Sequence, residues 1–210
     1  LENITFSLTQ DQNKALEEII IDLKETKSMN RLLQGDVGSG KTIVAICAGV
    51  LVSDYGQVVF IAPTEILALQ HYKKYKSLLE KIGIKSSVLC GSMTKKEKEN
   101  IKKNIKNNKI DFVFGTHALI EDDVIFNKLC LTIVDEQHKF GVQQRNRLIE
   151  KSFKSNVLVM SATPIPRTMA IANNGDLNIS IINEKPAGRK EIKTYAVSKD
   201  FEKRVFNFIE

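Results

Sequence analysis

The chain has 210 residues, 42% of them hydrophobic, a formal charge of +6 and a pI near 9.1. That length supports one well-built core with a fragment of a second. No apolar run reaches the length of a membrane span, and Leu1-Glu2-Asn3 does not open a signal peptide. Cys47, Cys90 and Cys130 stand singly in apolar surroundings without a C-x-x-C pair. Neither zinc nor a disulfide framework is indicated, and small buried hydrophobes in a reducing cytoplasm are expected.

Along the chain, apolar pattern and breakers alternate. Helical spacing runs over residues 13–24, and Thr9 and Gln12 before it form a capping-box pattern. A short strand is predicted at 31–34, then a glycine-rich loop and a buried helix over 42–53. Gln57-Val58-Val59-Phe60-Ile61-Ala62 reads as a strand buried on both faces and ended by Pro63. A helix over 66–82, a strand at 86–90 and a helix over 94–107 follow. Residues 95–109 hold seven lysines against Glu97 and Glu99, and this run reads as a solvated helix face rather than a phosphate-attracting one. Further strands are predicted at 110–114, at 129–134 running into Asp135, and at 156–160.

Repeated strand–helix units at this spacing predict an α/β fold, a mostly parallel doubly wound sheet with helices on both faces. In such sheets ligands gather at the carboxyl ends of the strands. Gly35, Pro63, Gly91, Gly115, Asp135 and Ser161 all fall at such ends. Beyond about Asn183 the chain becomes a Pro/Gly/basic connector, Glu184 to Lys190. A strand at 192–197 and a helix at 201–209 follow, expected as the start of a second domain. The expected division is therefore 1–184 and 185–210.

Gly35-Asp36-Val37-Gly38-Ser39-Gly40-Lys41-Thr42 fits G-x-x-x-x-G-K-[ST]. A nucleoside triphosphate packs several charges together, so a loop that holds it must converge many backbone N–H groups on one point. Glycine permits that turn without a Cβ in the way. Lys41 offers a point charge to the β- and γ-phosphates, and Thr42 offers a hydroxyl to Mg²⁺. The helix that follows aims its positive end at the phosphates. A second motif, Asp135-Glu136-Gln137-His138, ends an apolar run. Hydrolysis of Mg·ATP needs a carboxylate toward the metal's hydration shell and a base to orient water, roles that fit Asp135 and Glu136. An acidic pair that merely ends a strand is the competing reading; the phosphate loop upstream favours catalysis.

Together these blocks resemble superfamily 2 DNA helicases, and within them the first RecA-like motor domain of the RecG branch-migration family. The resemblance rests on Leu8-Thr9-x-x-Gln12, Met29 to Gln34 leading into the phosphate loop, and Ala62-Pro63-Thr64-Glu65-Ile66-Leu67-Ala68 with Gln70-His71-Tyr72. It continues through Gly115 to Ile120, Val134 to His138, Phe140 to Arg145, Met160 to Thr168, Gly175-Asp176-Leu177 and Gly188-Arg189-Lys190. The translocase domain of transcription-repair coupling factors shares the Pro164-Ile165-Pro166-Arg167-Thr168 block but usually differs at Gln137 and Ser161. A P-loop ATPase that does not act on nucleic acid is the other alternative.

The resemblance implies roles at matching positions. Gln12, supported by Thr9, would read the adenine edge. Pro63, Thr64, Gly91, Ser92, Thr116 and His117 would follow a DNA backbone without reading sequence. His138, Arg145, Ser161, Thr163 and Arg167 would couple nucleotide state to DNA or to the opposing lobe. It implies ATP and Mg²⁺ as cofactors, and branched DNA as substrate in recombination and repair. It also implies a second RecA-like lobe and an N-terminal branch-recognition domain in the full-length protein, and a bacterial cytoplasmic location.

Overall fold

The computed structural model describes residues 7–136, 155–163, 177–184 and 196–209. The first helix, α1 (Gln10–Lys24), starts where the sequence places its cap. Thr9 Oγ1 accepts the Gln12 backbone N–H at 3.3 Å, and Gln12 Oε1 accepts the Thr9 N–H at 3.0 Å. Two of the helix's orphan donors are thereby satisfied reciprocally. The chain then runs β1 (Asn30–Gly35), α2 (Lys41–Val52), β2 (Gln57–Ile61), α3 (Glu65–Lys81), β3 (Ser86–Leu89), α4 (Lys95–Lys106) and β4 (Phe112–Gly115). A 3₁₀ turn (His117–Ile120), β5 (Leu129–Asp135), β6 (Asn156–Ser161) and β7 (Asn178–Ile182) complete the sheet region.

The seven strands form one sheet in the order β3-β4-β2-β5-β6-β1-β7, and every pair is parallel. Parallel neighbours require crossovers that cover both faces, which is why the central strands carry unbroken apolar runs. In β2 successive side chains go to opposite layers. Val58 and Phe60 join α1, α2 and α3, whereas Val59 and Ile61 join α4 and the 3₁₀ turn. Phe112 and Phe114 stack at 4.9 Å within the first layer, and Phe60 lies 5.5 Å from Phe114. The expectation of a doubly wound parallel sheet holds. The lysine-rich run forms α4, capped by Thr94 and Glu97, with Ile105 as its buried contact.

Two amides at strand starts, Gln57 buried and Asn156 half-buried, close the amino-terminal edge of the sheet. Gln57, fully buried, donates to Ile105 O at 2.9 Å and Ile110 O at 2.8 Å and accepts from Asn127 N at 2.8 Å. Asn156 accepts from Met29 N at 2.8 Å and donates to Cys130 O at 3.0 Å. Ile110 is thus taken up by Gln57, and β4 starts at Phe112 rather than at 110 as the pattern suggests. The strand expected over 192–197 falls mostly outside the described residues; Ala196 and Val197 belong to no strand. A 3₁₀ turn (Lys199–Phe201) and a helix (Glu202–Ile209) stand at the expected C-terminal helix.

β7 has no counterpart among the predicted strands. It pairs with β1 and is pinned by a polar cluster. Arg31 on β1 donates to Asp22 Oδ2 at 2.7 Å, to Glu18 Oε2 at 3.2 Å and to Ser180 Oγ at 2.8 Å. Asn178 also reaches Asp22, at 3.2 Å. Burial pushes the Asp22 carboxyl up, but hydrogen bonds from Arg31 and Asn178 outweigh it and hold the group below its ordinary value of 3.8. Its stabilising contribution is complete above that value and is lost as pH falls through the lower folded value. Arg31→Leu leaves a buried carboxylate without its cation. We expect it to cost about 3–5 kcal/mol, read as a lowered urea midpoint at neutral pH. A midpoint unchanged from wild type would show that the cluster does not hold β7 in place.

Candidate nucleotide and nucleic-acid site

Because all strands are parallel, their carboxyl ends lie along one edge, and the candidate residues collect there in two groups. β1, β5 and β6 are consecutive neighbours in the sheet and carry the phosphate loop, Asp135-Glu136 and Ser161. β3, β4 and β2 are the other consecutive set and carry Gly91-Ser92, Thr116-His117 and Pro63-Thr64.

The phosphate loop leaves β1 at Gly35 and enters α2 through Gly40, which has φ +88°. That is the left-handed region, open to glycine at little cost. A Cβ on Gly40 would also stand 2.2 Å from Gln12 Nε2. At Gly35 a Cβ would lie 2.6 Å from Ser39 Oγ and 2.7 Å from Ile182 O. At Gly35 and Gly40 the loop is therefore packed too closely against Gln12, Ser39 and Ile182 to admit a Cβ. Gly40 supplies no side-chain cap, so the first N–H groups of α2 are available to an anion. Ser39 Oγ is buried and finds no hydrogen-bond partner among the described residues. A buried hydroxyl without a partner beside free helix N–H groups fits a phosphate oxygen.

Lys41 is buried, and its ammonium donates to Gly35 O at 2.6 Å and Asp36 O at 3.0 Å. Burial lowers its pKa, and the carboxylates of Glu136, Asp135 and Asp36 pull it back upward. Lys41 thus feels the strand ends of β1 and β5 together. Thr42 is half-buried in the first turn of α2.

Glu136 follows β5 with φ +50°, unusual for a residue with a long side chain. Its N–H donates to Met160 O at 2.9 Å, and its Oε1 accepts the Ala162 N–H at 3.0 Å. The carboxylate is thereby fixed to the segment after β6. There Ser161 Oγ and Thr163 Oγ1 are 2.9 Å apart, and Thr163 N–H donates to Ser161 Oγ at 3.2 Å. Asp135 meets His71 Nε2 at 3.5 Å. No cluster of three or more His, Cys, Asp or Glu that could hold a metal occurs among the described residues. A divalent ion here would need phosphate oxygens and water beside Thr42 and Asp135, the usual way Mg²⁺ is held with a nucleotide.

Gln12 does more than cap. Its Nε2 donates to Ser39 O at 2.7 Å, so α1 is bonded directly to the phosphate loop. An amide has two hydrogens and two lone pairs, which leaves one of each for a nucleobase. Asp11 reaches the other side, accepting Asn183 N–H at 2.8 Å and Glu184 N–H at 3.0 Å where the chain leaves β7.

In the second group, Thr64 caps α3 by accepting Leu67 N–H at 3.3 Å and stays exposed. Gly91, Ser92 and His117 are exposed, Pro63 is partly so, and Thr116 is buried. Glu65 joins two of these loops: both its oxygens accept Ser92 N–H, at 3.0 and 3.3 Å. Hydrogen bonds from Ser92, then from the Gly91 backbone, and the nearby Lys98 hold its carboxyl below the ordinary range. Lys98 also donates to Gly91 O. Glu65 and His71 stand inside the block from Ala62 to Tyr72, where the sequence alone assigns neither a role. Their partners, Ser92 in the loop after β3 and Asp135 at the end of β5, are far away in sequence, and nothing in local spacing points to them. Gln137, His138, Arg145 and Arg167 lie outside the described residues.

This arrangement defines a nucleotide-binding α/β domain of the motor type, and comparison with known proteins gives its family. The DEAD/DEAH box helicase family matches residues 9–171, and the chain belongs to it. Among curated relatives, ATP-dependent DNA helicase RecG of Thermotoga maritima is 49% identical over 212 residues, covering 100% of this chain and 27% of that protein. RecG of Bacillus subtilis is 46% identical over 212 residues, covering 100% and 31%. A solved structure of RecG bound to a three-way DNA junction superposes with a TM-score of 0.84 at 46% identity, covering 99% of this chain and 28% of that one. The DEAD-box helicase Mss116 bound to ssRNA and UDP-BeF shares the fold, with a TM-score of 0.61 at 20% identity over 84% of this chain and 40% of that one. The chain spans less than a third of the length of the RecG relatives it matches. No described helix is long and apolar enough to cross a membrane.

Proposed function

We propose that the protein containing this chain is an ATP-dependent DNA helicase that remodels branched DNA, with residues 1–184 as its first motor lobe. Residues 185–210 would lead into a second lobe, and a branch-recognition domain would complete the protein. One combined observation carries the reading. Lys41, Asp135 and Glu136 converge at one sheet edge in a chain that matches, over 99% of its length, RecG on a three-way junction.

In this reading Gly35 to Thr42 cradle the phosphates, and Lys41 trades its loop carbonyls for phosphate oxygens. Thr42 and Asp135 would hold Mg²⁺ beside the phosphates, Asp135 through the ion's water shell. Glu136 orients the attacking water and accepts its proton. Gln12 spends its remaining amide valences on adenine. Ser161 and Thr163, bonded to each other and adjacent to the Ala162 N–H that holds Glu136, relay nucleotide state. His138, Arg145 and Arg167 belong to the same relay. Pro63, Thr64, Gly91, Ser92 and His117 track the DNA backbone, and Thr116, which is buried, shapes the turn behind His117, its carbonyl accepting the Leu119 N–H at 3.0 Å. The exposed Thr64 hydroxyl accepts the Leu67 N–H and keeps its own hydrogen, a sequence-blind donor of the kind that positions a strand.

The test is ATP turnover by the intact protein without DNA, with linear duplex and with a branched junction. Junction DNA should stimulate most. Log affinity for it should fall linearly with log salt, because phosphate contacts dominate. Turnover indifferent to all DNA would point instead to a P-loop ATPase without a nucleic-acid substrate.

A further inference from the structure

His71 sits on α3, between the two groups of strand ends. α3 begins at Thr64 and Glu65, in the β2–β3 group of loops, and two turns later presents His71 to β5. Nε2 stands 3.5 Å from Asp135 Oδ2, and both side chains are largely buried, at 15% and 16% exposure. The ring is backed by Phe60 at 4.8 Å, on the strand beside β5. The helix cannot easily rotate away, because Ala68, Tyr75 and Leu79 are locked in the core beneath it. Asp135 has a second lone-pair-bearing oxygen and no other side-chain ion pair among the described residues.

We propose that His71 is the positioning residue of Asp135: its Nε2–H fixes the carboxylate so that the second oxygen faces the metal's hydration shell. The inference rests on the metal-facing role of Asp135 given above. A neutral imidazole protonated on Nε2 donates as an imidazolium does, so no change of protonation is involved. Separations of this length in a ligand-free site commonly close when ligand binds. Partners behind a metal's ligands typically change metal affinity by about 10–100-fold when removed. Because Asp135 acts through water, the lower end is expected. One rigid helix would then join the proposed DNA loops to the metal carboxylate.

The experiment uses the intact protein and reads binding rather than turnover. A fluorescent non-hydrolysable ATP analogue is titrated with Mg²⁺, and its metal-free binding is measured alongside. His71→Phe keeps a ring against Phe60 and removes the donor. His71→Gln keeps an N–H where Nε2 stands. We expect H71F to raise the half-saturating Mg²⁺ concentration about 10-fold with metal-free binding intact, and H71Q to stay near wild type. Asp135→Asn should raise it at least as far. An unmoved H71F beside a shifted D135N overturns the role of His71 alone. So does an H71Q that shifts as far as H71F, or an H71F that loses metal-free binding equally, since that marks a packing defect. An unmoved D135N removes the metal-facing assignment of Asp135, and the His71 role with it.

Discussion

Glu136→Gln in the intact protein is expected to lower DNA-stimulated turnover by about 10²–10⁴-fold while Mg·ATP still binds. The structure makes this substitution cleaner than most. Glu136 is held by its own N–H to Met160 O and by Ala162 N–H donating to Oε1, and a glutamine carbonyl oxygen can accept that second bond unchanged. The backbone at φ +50° is no harder for glutamine than for glutamate. What disappears is the proton acceptor. The hydrogen bonds of the phosphate cradle are kept, since Lys41, the α2 N–H groups and Ser39 belong to a different strand end; Lys41 loses only the charge of Glu136 and keeps those of Asp135 and Asp36. Equilibrium binding of ATP and single-turnover hydrolysis, measured on the same preparation, separate the two quantities. If hydrolysis persists at the wild-type rate, the base lies elsewhere and Glu136 is a structural tie between β5 and the segment after β6.

Those features of the site that reside within a few residues of each other were readable from the sequence. The capping box and the phosphate loop are local patterns, because their geometry is set by cap chemistry and by glycine at positive φ. Strand and helix positions followed from apolar period, and the placement of motifs at strand ends followed from parallel topology. Strand order did not. That β6 and β7 flank β1 depends on pairing between segments far apart in sequence. β7 was hidden for a particular reason. Asn178 and Ser180 break its apolar pattern, and those polar residues are the ones that meet Asp22 and Arg31. A strand that owes its place to a buried polar cluster carries a weak hydrophobic signal. His71 was hidden likewise: a single histidine on a half-buried helix face reads as packing until Asp135 is found opposite it.

A second expected result concerns the division of the motor. The 210-residue chain should bind ATP or ADP weakly, hydrolyse it about 10³–10⁵-fold more slowly than the intact protein on DNA, and unwind nothing. The chain supplies the cradle, Lys41, Thr42, Asp135 and Glu136 on one sheet edge. On the proposed two-lobe reading, the cation that neutralises charge on the transferring phosphoryl group comes from the opposing lobe. Without it, the transition state faces water rather than fixed donors, and electrostatic stabilisation weakens in the higher dielectric. Nucleotide binding suffers less, since the α2 N–H groups and Lys41 are already in place. The mechanical link is expected to fail as well. Asp11 bonds the start of α1 to Asn183 and Glu184, where the chain departs toward the proposed second lobe, and Gln12 one residue on bonds the phosphate loop. Closure of a second lobe on nucleotide would pull on this turn; a lone lobe has nothing to pull with. Hydrolysis by the chain alone and by the chain extended through the second lobe, each with and without junction DNA, decides the matter. Equal and equally DNA-stimulated rates would make the site self-contained, and the half-motor reading would fall.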